Sequence, residues 1–284
     1  DFGAGDFKGV VDSVHTSILF SIILGIFVMI LGLFIYESLL IQMGTPIEIL
    51  PLASLYMKIY FLGLPAAMVY NFCASILRAV GDSKNPMYFL VIGGVVNVIL
   101  NLLFIIVFHL SVAGVAIATV ISQYLSMILI LVFLNRHEGH IRFKPKNLRL
   151  EGKKLVQIFR IGFPAGMQGL LFSISNTVVQ SSRNSFGTTT IAANTAAQNV
   201  EGFVATTTNA YYNAAITFTG QSMGAKKYDK IDSVAKVCTA LIFATWLILG
   251  SLVIIFGKPL LSIFNSDPEV LKLGMQRIIV MMSL

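Results

Sequence analysis

Long uninterrupted apolar stretches are the feature that most constrains how this 284-residue chain can fold. A helix that crosses the core of a bilayer needs about 20 mostly apolar residues. Seven stretches meet this requirement, and they cover residues 14–35, 55–78, 87–108, 112–134, 161–183, 189–219 and 234–256. An eighth begins near Val270. The runs are continuous and do not alternate as barrel strands do, which favours helices. We therefore expect an all-α, polytopic membrane helix bundle.

The charged residues are few and unevenly placed. They make up 12% of the chain, against about 25% in an ordinary soluble domain, which excludes a soluble globular protein. The formal net charge is +7, and when alternate loops are assigned to one side, 15 of the 20 basic residues fall on that side. This asymmetry predicts that the basic side is cytoplasmic. We therefore interpret the basic excess as membrane topology, and we expect no nucleic-acid partner.

Residues 135–160 form the longest polar stretch and divide the chain in two. Apolar residues such as Phe159 are interspersed there with basic ones such as Lys153, a pattern typical of an interfacial amphipathic helix. We expect residues 1–134 to form a partial N-terminal lobe of four spans, and residues 135–160 to form a cytoplasmic linker with that amphipathic helix. The remainder, residues 161–284, should form a partial C-terminal lobe of three spans and the start of a fourth.

The two blocks resemble each other. Asp12-Ser13-Val14 recurs 220 residues later as Asp232-Ser233-Val234. Both copies lead into spans of the same direction, so the repeat is parallel, as in some transporters. The second copy has two spans before its motif, over 161–183 and 189–219, whereas the first copy has none. We therefore expect two parallel-repeat lobes that are truncated at both ends.

Four motifs are similar to those of the multidrug and toxic compound extrusion (MATE) family. Residues 77–86 resemble its signature loop, and residues 112–123 resemble its sixth helix. Residues 162–166, followed by Phe186-Gly187, resemble its seventh helix and exit loop, and residues 219–225 resemble the end of its eighth. The resemblance implies antiport of organic, often cationic, compounds across the plasma membrane. It implies sodium ions or protons as the coupling ion and no tightly bound cofactor.

Glu201 is the clearly central ionisable residue of the near-complete spans. It lies about midway along residues 189–219, where a carboxylate costs about 3 kcal/mol on insertion scales. The spacing of Asn194 and Gln198 puts both on the same helical face as Glu201. This stripe predicts either a cavity in which Glu201 attracts a cationic compound and loses its proton, or a buried carboxyl that joins helices.

The preceding span carries three amides on about a third of its circumference: Gln168, Asn176 and Gln180. They either line the same cavity or form hydrogen bonds between helices. Some members of the resembling family have an acidic residue on this helix, and this chain has none between Gly162 and Ser182.

Amide and hydroxyl side chains recur at four-residue spacing in the third and fourth spans. Asn97 and Asn101 share one face of the third, and Thr119 and Gln123 share one face of the next. The resemblance implies that Asn97 and Thr119 supply oxygens to a cation site, and that Asn101 takes a position often held by Asp. Asn71 in the second span is a further candidate ligand. The alternative is amide pairing between helices, and the spacing does not distinguish sodium from a proton.

Three functions fit these features to different degrees: an antiporter, a lipid-linked saccharide flippase or exporter of the same superfamily, and a membrane enzyme that acts on lipid. An enzyme is disfavoured because His, Asp and Glu do not cluster at a membrane surface, and nothing suggests a metal site. A flippase is disfavoured because the spans hold few basic residues. We expect a monomeric, non-enzymatic, multi-pass protein of the plasma (inner) membrane. Its partners should be the lipid bilayer and small organic substrates.

Overall fold

The structure, a computed structural model, describes residues 1–42, 45, 47–184 and 188–283. It describes their side chains except at positions 42, 177, 180–184 and 188. Throughout the described ranges the regular structure is helical, without strands. The α-helices in chain order are α1 (Phe7–Gln42), α2 (Leu50–Ala79), α3 (Lys84–Leu102), α4 (Ser111–Arg136), α5 (Gly152–Asn184), α6 (Thr188–Gly224), α7 (Asp229–Ile255), α8 (Gly257–Ser262) and α9 (Pro268–Ser283). A π-helical turn at Leu103–Val107 continues α3, and a 3-10 turn at Pro145–Asn147 precedes α5.

Six segments of the described chain are helical, long and apolar enough to cross a membrane. They are Phe7–Ile41, Leu50–Ala79, Lys84–Val107, Ser111–Arg136, Gly152–Asn176 and Asp229–Ile255. The predicted all-α membrane bundle is therefore confirmed. The expected span over 189–219 differs: it is one long helix, α6, but threonine and asparagine recur along it and it is not among the six.

The amphipathic segment before residue 161 is not a separate helix. Residues 152–160 continue without a break into the following span, and together they form α5. The connection between α1 and α2 falls partly outside the described residues, and Phe186-Gly187, expected as an exit loop, lies wholly outside them. The break before α9 is described, and there the backbone N–H of Glu269 donates to Asp267 Oδ1 at 2.8 Å.

The chain forms two compact units, residues 1–160 and residues 161–284. In the first, α1 packs on α2, and both α2 and α3 pack on α4. In the second, α6 packs against α7 and α9, and α8 packs against α9. Each unit buries its own apolar core, in which Leu77 and Ile130 of the first unit and Ile278 of the second have no exposed surface.

The segment between α4 and α5 folds back onto the first turns of α1. The backbone N–H of Lys144 donates to Nε2 of the buried His15 at 3.2 Å. The backbone N–H of Glu151 donates to Thr16 Oγ1 at 3.1 Å. Because buried polar groups need hydrogen-bond partners, these contacts tie the polar segment to the first unit.

Candidate functional site

Asn97 lies at the centre of a hydrogen-bonded group between α3 and α4. Its Oδ1 accepts a hydrogen bond from Asn101 Nδ2 at 3.0 Å. Its Nδ2 donates to Thr119 Oγ1 and to Ser122 Oγ, both at 3.4 Å. We call Asn97, Asn101, Thr119 and Ser122 the amide cluster. Three of its four members are residues that the sequence singles out for an ion site.

A glycine lets α3 and α4 approach closely at this cluster. A Cβ atom at Gly93 would lie 2.1 Å from Ser126 Oγ and 3.2 Å from the carbonyl oxygen of Ser122. Small residues at a helix crossing allow the two backbones to come together. Asn97 lies about one turn after Gly93, so this approach brings its amide within reach of α4.

The amide cluster borders a pocket of about 490 Å³ in the first unit. Asn71, Asn97, Thr119 and Gln123 line this pocket. Asn101 is not part of the lining and connects to it through its hydrogen bond with Asn97. Candidates from the second, third and fourth predicted spans therefore meet at one place.

Two buried amide oxygens at this place have no hydrogen-bond donor among the described residues: Asn101 Oδ1 and Gln123 Oε1. Leaving a buried acceptor unsatisfied costs about 1–3 kcal/mol, so such atoms usually have a partner. Amide and hydroxyl oxygens are hard ligands of the kind that hard cations take. The arrangement therefore suits a small cation chemically.

Arg78 is a cationic member of the pocket lining, in the last turn of α2. Its Nη2 donates to Ser75 Oγ at 3.0 Å, and no carboxylate belongs to the described lining. A guanidinium stays protonated in proteins, so this end of the pocket carries a positive charge. That charge opposes a cation and attracts an anionic group.

Glu201 in α6 pairs with Arg277 in α9. Arg277 Nε donates to Glu201 Oε1 at 2.9 Å, and Arg277 Nη2 donates to Glu201 Oε2 at 2.8 Å. The arginine side chain is 16% exposed and the glutamate side chain 15%. Contacts in which a guanidinium bonds both carboxylate oxygens are among the strongest hydrogen-bonded pairs in proteins. The carboxylate that the sequence places alone in its helix therefore has a counter-ion.

Asn194 completes this arrangement, because Arg277 Nη1 donates to Asn194 Oδ1 at 2.7 Å. Asn194 and Glu201 are seven residues apart and share a helical face. Gly274, about one turn before Arg277, lies against α6, where a Cβ atom would be 3.5 Å from the carbonyl oxygen of Ala193. We call Glu201, Arg277 and Asn194 the arginine–glutamate site.

The other candidates of the second unit lie at exposed positions. Gln198 is exposed on α6. Gln168 and Asn176 are exposed on α5, within a stretch over 161–176 that is exposed throughout. The side chain of Gln180 lies outside the described residues.

Sequence reasoning did not assign a role to Arg277 or Ser122. Ser122 is one turn from Thr119, so its spacing could have identified it as a further candidate for the ion site. For Arg277 the signal is electrostatic, since a carboxylate such as Glu201 within membrane helices needs a compensating charge. Arg277 is one of the few bases within the predicted spans, but helical periodicity does not say which helix faces Glu201.

A family model described as MatE matches residues 1–103 and 164–283. The chain is 29% identical over 274 residues to the "Probable multidrug resistance protein YpnP" of Bacillus subtilis, covering 96% of this chain and 61% of that protein. It is 25% identical over 265 residues to the "FAD transporter" of Shewanella oneidensis, covering 91% and 58%. The chain therefore spans about three fifths of the length of these curated relatives.

Solved structures match over nearly the whole chain. An outward-facing multidrug resistance MATE family transporter of the MOP superfamily superposes with a TM-score of 0.89 at 22% identity, covering 97% of this chain and 62% of that one. A MOP superfamily transporter from Pyrococcus furiosus, reported with reverse polarity of its binding pocket, gives 0.89 at 23% identity, covering 99% and 62%. At this level of identity the likeness shows the fold.

Proposed function

Because the chain belongs to the MatE family, we propose that it acts in secondary active antiport, exporting organic, often cationic, compounds in exchange for sodium ions or protons. The observation that carries the proposal is the ionisable group of Glu201, held by a guanidinium inside a helix bundle. Ionisable residues within membrane helices mark substrate and ion pathways. The curated relatives are named as a probable multidrug resistance protein and an FAD transporter, which supports a non-enzymatic role.

The amide cluster, with Asn71 and Gln123, is the proposed ion site. It offers amide and hydroxyl oxygens, two of which, Asn101 Oδ1 and Gln123 Oε1, have no donor among the described residues. Amides and hydroxyls do not titrate near neutral pH. This chemistry favours sodium over a proton at this position.

The arginine–glutamate site is the proposed substrate site. Its charged pair is 15–16% exposed, so it is mostly buried and still reachable. In this proposal Gln198 and the α5 amides Gln168, Asn176 and Gln180 form the polar surroundings through which a substrate reaches Glu201. Their exposure on the described helix surfaces is compatible with that role for the first three.

The two units contain the proposed lobes of an alternating-access transporter. Residues 1–134 form the N-terminal lobe and residues 161–284 the C-terminal lobe, joined by a cytoplasmic linker over 135–160. Parallel repeats that rock against each other are a known transporter architecture. We place the protein in the plasma (inner) membrane as a multi-pass monomer, and the six apolar helices support the multi-pass assignment.

The test is dye efflux from cells and proteoliposomes that contain the protein. A sodium or proton gradient should drive export of ethidium, and Glu201→Gln should abolish it while leaving insertion intact. Glu138→Gln, at an exposed acid in the segment after α4, is the matched control and should transport normally. Undiminished efflux by Glu201→Gln would contradict the proposed role of this residue.

A second candidate function is export of an anionic compound, such as a lipid-linked saccharide. The observation that favours it is Arg78, a cation in the lining of the first-unit pocket. The same proteoliposomes distinguish the two functions. Flipping of a fluorescent lipid pyrophosphate that is lost in Arg78→Gln, with no ethidium export, would support the second function and exclude the first.

A further inference from the structure

Arg277 satisfies both oxygens of the carboxylate that the proposed transport function requires. Three of its N–H groups bond across to α6, two to Glu201 and one to Asn194. The pair is therefore neutral as a unit, and each carboxylate oxygen already accepts a short hydrogen bond. An organic cation that approaches Glu201 meets an occupied carboxylate beside a positive charge.

A cation that is to bond Glu201 at the lone pairs facing α9 has to take the place of the guanidinium. That exchange leaves Arg277 without its carboxylate, and an unpaired charge that is mostly buried is strongly unfavourable. Asn194 Oδ1 keeps one bond to Arg277 at 2.7 Å, but a neutral oxygen does not cancel a charge. A substrate that carries an anionic group beside its cationic group would supply the missing partner.

The helix contacts allow this exchange without separation of α6 and α9. The packing between them is carried by apolar residues beside the pair, among which Ala197 and Ile278 have no exposed surface. Gly274 brings α9 against the backbone of Ala193. Rotation of the long arginine side chain can therefore open the pair while the helices stay packed.

We propose that Arg277 determines the specificity of this site, acting as a built-in competitor for Glu201 that a substrate with both a positive and a negative group displaces more readily than a cation alone does. The inference rests on the proposed function, in which Glu201 binds substrate. It names a substrate class, compounds with an amine-type cation and a carboxylate or phosphate a few ångströms apart. It also predicts that permanent monocations bind more weakly than such compounds.

The experiment compares two dyes that differ in one charge. Rhodamine B carries a cation and a carboxylate, and its ethyl ester carries the cation alone. Binding to the purified protein in detergent is followed by fluorescence polarisation. The wild type should bind rhodamine B more tightly than the ester. In Arg277→Gln the ester should bind about tenfold more tightly than rhodamine B, because the competitor for the cation and the partner for the carboxylate both disappear.

Two further variants separate the outcomes. Glu201→Gln should lose the ester, whose cation has no other partner, and should retain rhodamine B through Arg277. One outcome would overturn the role of Arg277 alone. In that outcome Arg277→Gln keeps the dye preference of the wild type, while Glu201→Gln still does not bind the ester. Normal binding of the ester by Glu201→Gln would instead overturn the proposed function of Glu201.

A conservative variant keeps the inference falsifiable if Arg277→Gln does not fold. Arg277→Lys keeps the charge but cannot bond both carboxylate oxygens in the fork geometry of arginine. It should compete less well for Glu201, so the ester should bind several-fold more tightly than it binds the wild type. An unchanged ratio between the two dyes in Arg277→Lys would overturn the proposal.

Discussion

Removing Arg277 should destabilise the second unit far more than removing both charges of the pair. In Arg277→Met, both oxygens of Glu201 lose their donors, and a carboxylate that is 15% exposed stays without a counter-ion. Breaking a buried ion pair by removing one partner costs about 3–5 kcal/mol. Because the pair is partly exposed, we expect a loss of about 2–4 kcal/mol in the free energy of unfolding.

The double variant Glu201→Gln/Arg277→Gln is the matched comparison. It removes both charges and leaves two amides that can bond to each other and to Asn194. Replacing a buried ion pair with well-packed hydrophobic residues is often close to neutral. Because the two amides can satisfy each other, we expect the stability of the double variant to lie within about 1 kcal/mol of the wild type. The contrast between single and double variants isolates the uncompensated charge.

The measurement is thermal unfolding in detergent, followed by the fluorescence of Trp246, the single tryptophan of the chain. Its Nε1 donates to the carbonyl oxygen of Met282 at 3.3 Å, so it reports on the contact between α7 and α9. At about 2–4 °C per kcal/mol, Arg277→Met should melt roughly 5–15 °C lower. Lys272→Met, at an exposed position of the same helix, is the control and should change little. Equal losses in the single and double variants would refute the reasoning, because packing and not charge would then set the cost.

Three further predictions concern the first unit. Asn97→Ala removes a pocket oxygen and a bond to Thr119. Half-maximal efflux should then need about tenfold more sodium, because one charge-assisted contact to the ion is lost. An unchanged sodium dependence would contradict the ion-site proposal. Arg78→Gln removes the positive charge of the pocket lining, so sodium binding measured by calorimetry should strengthen several-fold; weaker binding would contradict the electrostatic argument. Thr16→Val removes the acceptor for the N–H of Glu151, so the free energy of unfolding of the first unit should fall by about 1–2 kcal/mol. The segment after α4 should then be cleaved faster in limited proteolysis. An unaltered cleavage rate would show that this contact does not hold the segment.

The helices of the first unit could be predicted from the sequence because their apolar runs end at strong signals. Residues 77–86 hold a glycine and a proline, and α2 ends and α3 begins within them. The segment at 152–160 misleads because an amphipathic stretch and an apolar one can share a single helix when no breaker separates them. Pro164 follows too late to act as one and is accommodated inside α5.

Local contacts of the candidate sites could also be predicted, and distant ones could not. The bond between Asn101 and Asn97 follows from a four-residue spacing on one helix. The pairing of Arg277 with Glu201 joins two residues that are 76 positions apart in sequence and lie on different helices. Periodicity gives the face on which Glu201 lies but not the helix packed against that face. That neighbour depends on Gly274 and on the apolar packing around Ile278.

The partner of Glu201 also bears on which ion drives the proposed transport. Arg277 bonds both oxygens of Glu201, so the charge of this carboxylate is already compensated. The proposed ion site in the first unit has two unpartnered oxygens, Asn101 Oδ1 and Gln123 Oε1, to which no described residue donates a hydrogen bond. In the proposed scheme, ion binding is therefore assigned to the first unit and substrate exchange to Glu201 in the second. Efflux driven by a proton gradient alone, in sodium-free buffer and unaffected by Asn97→Ala, would reverse that assignment.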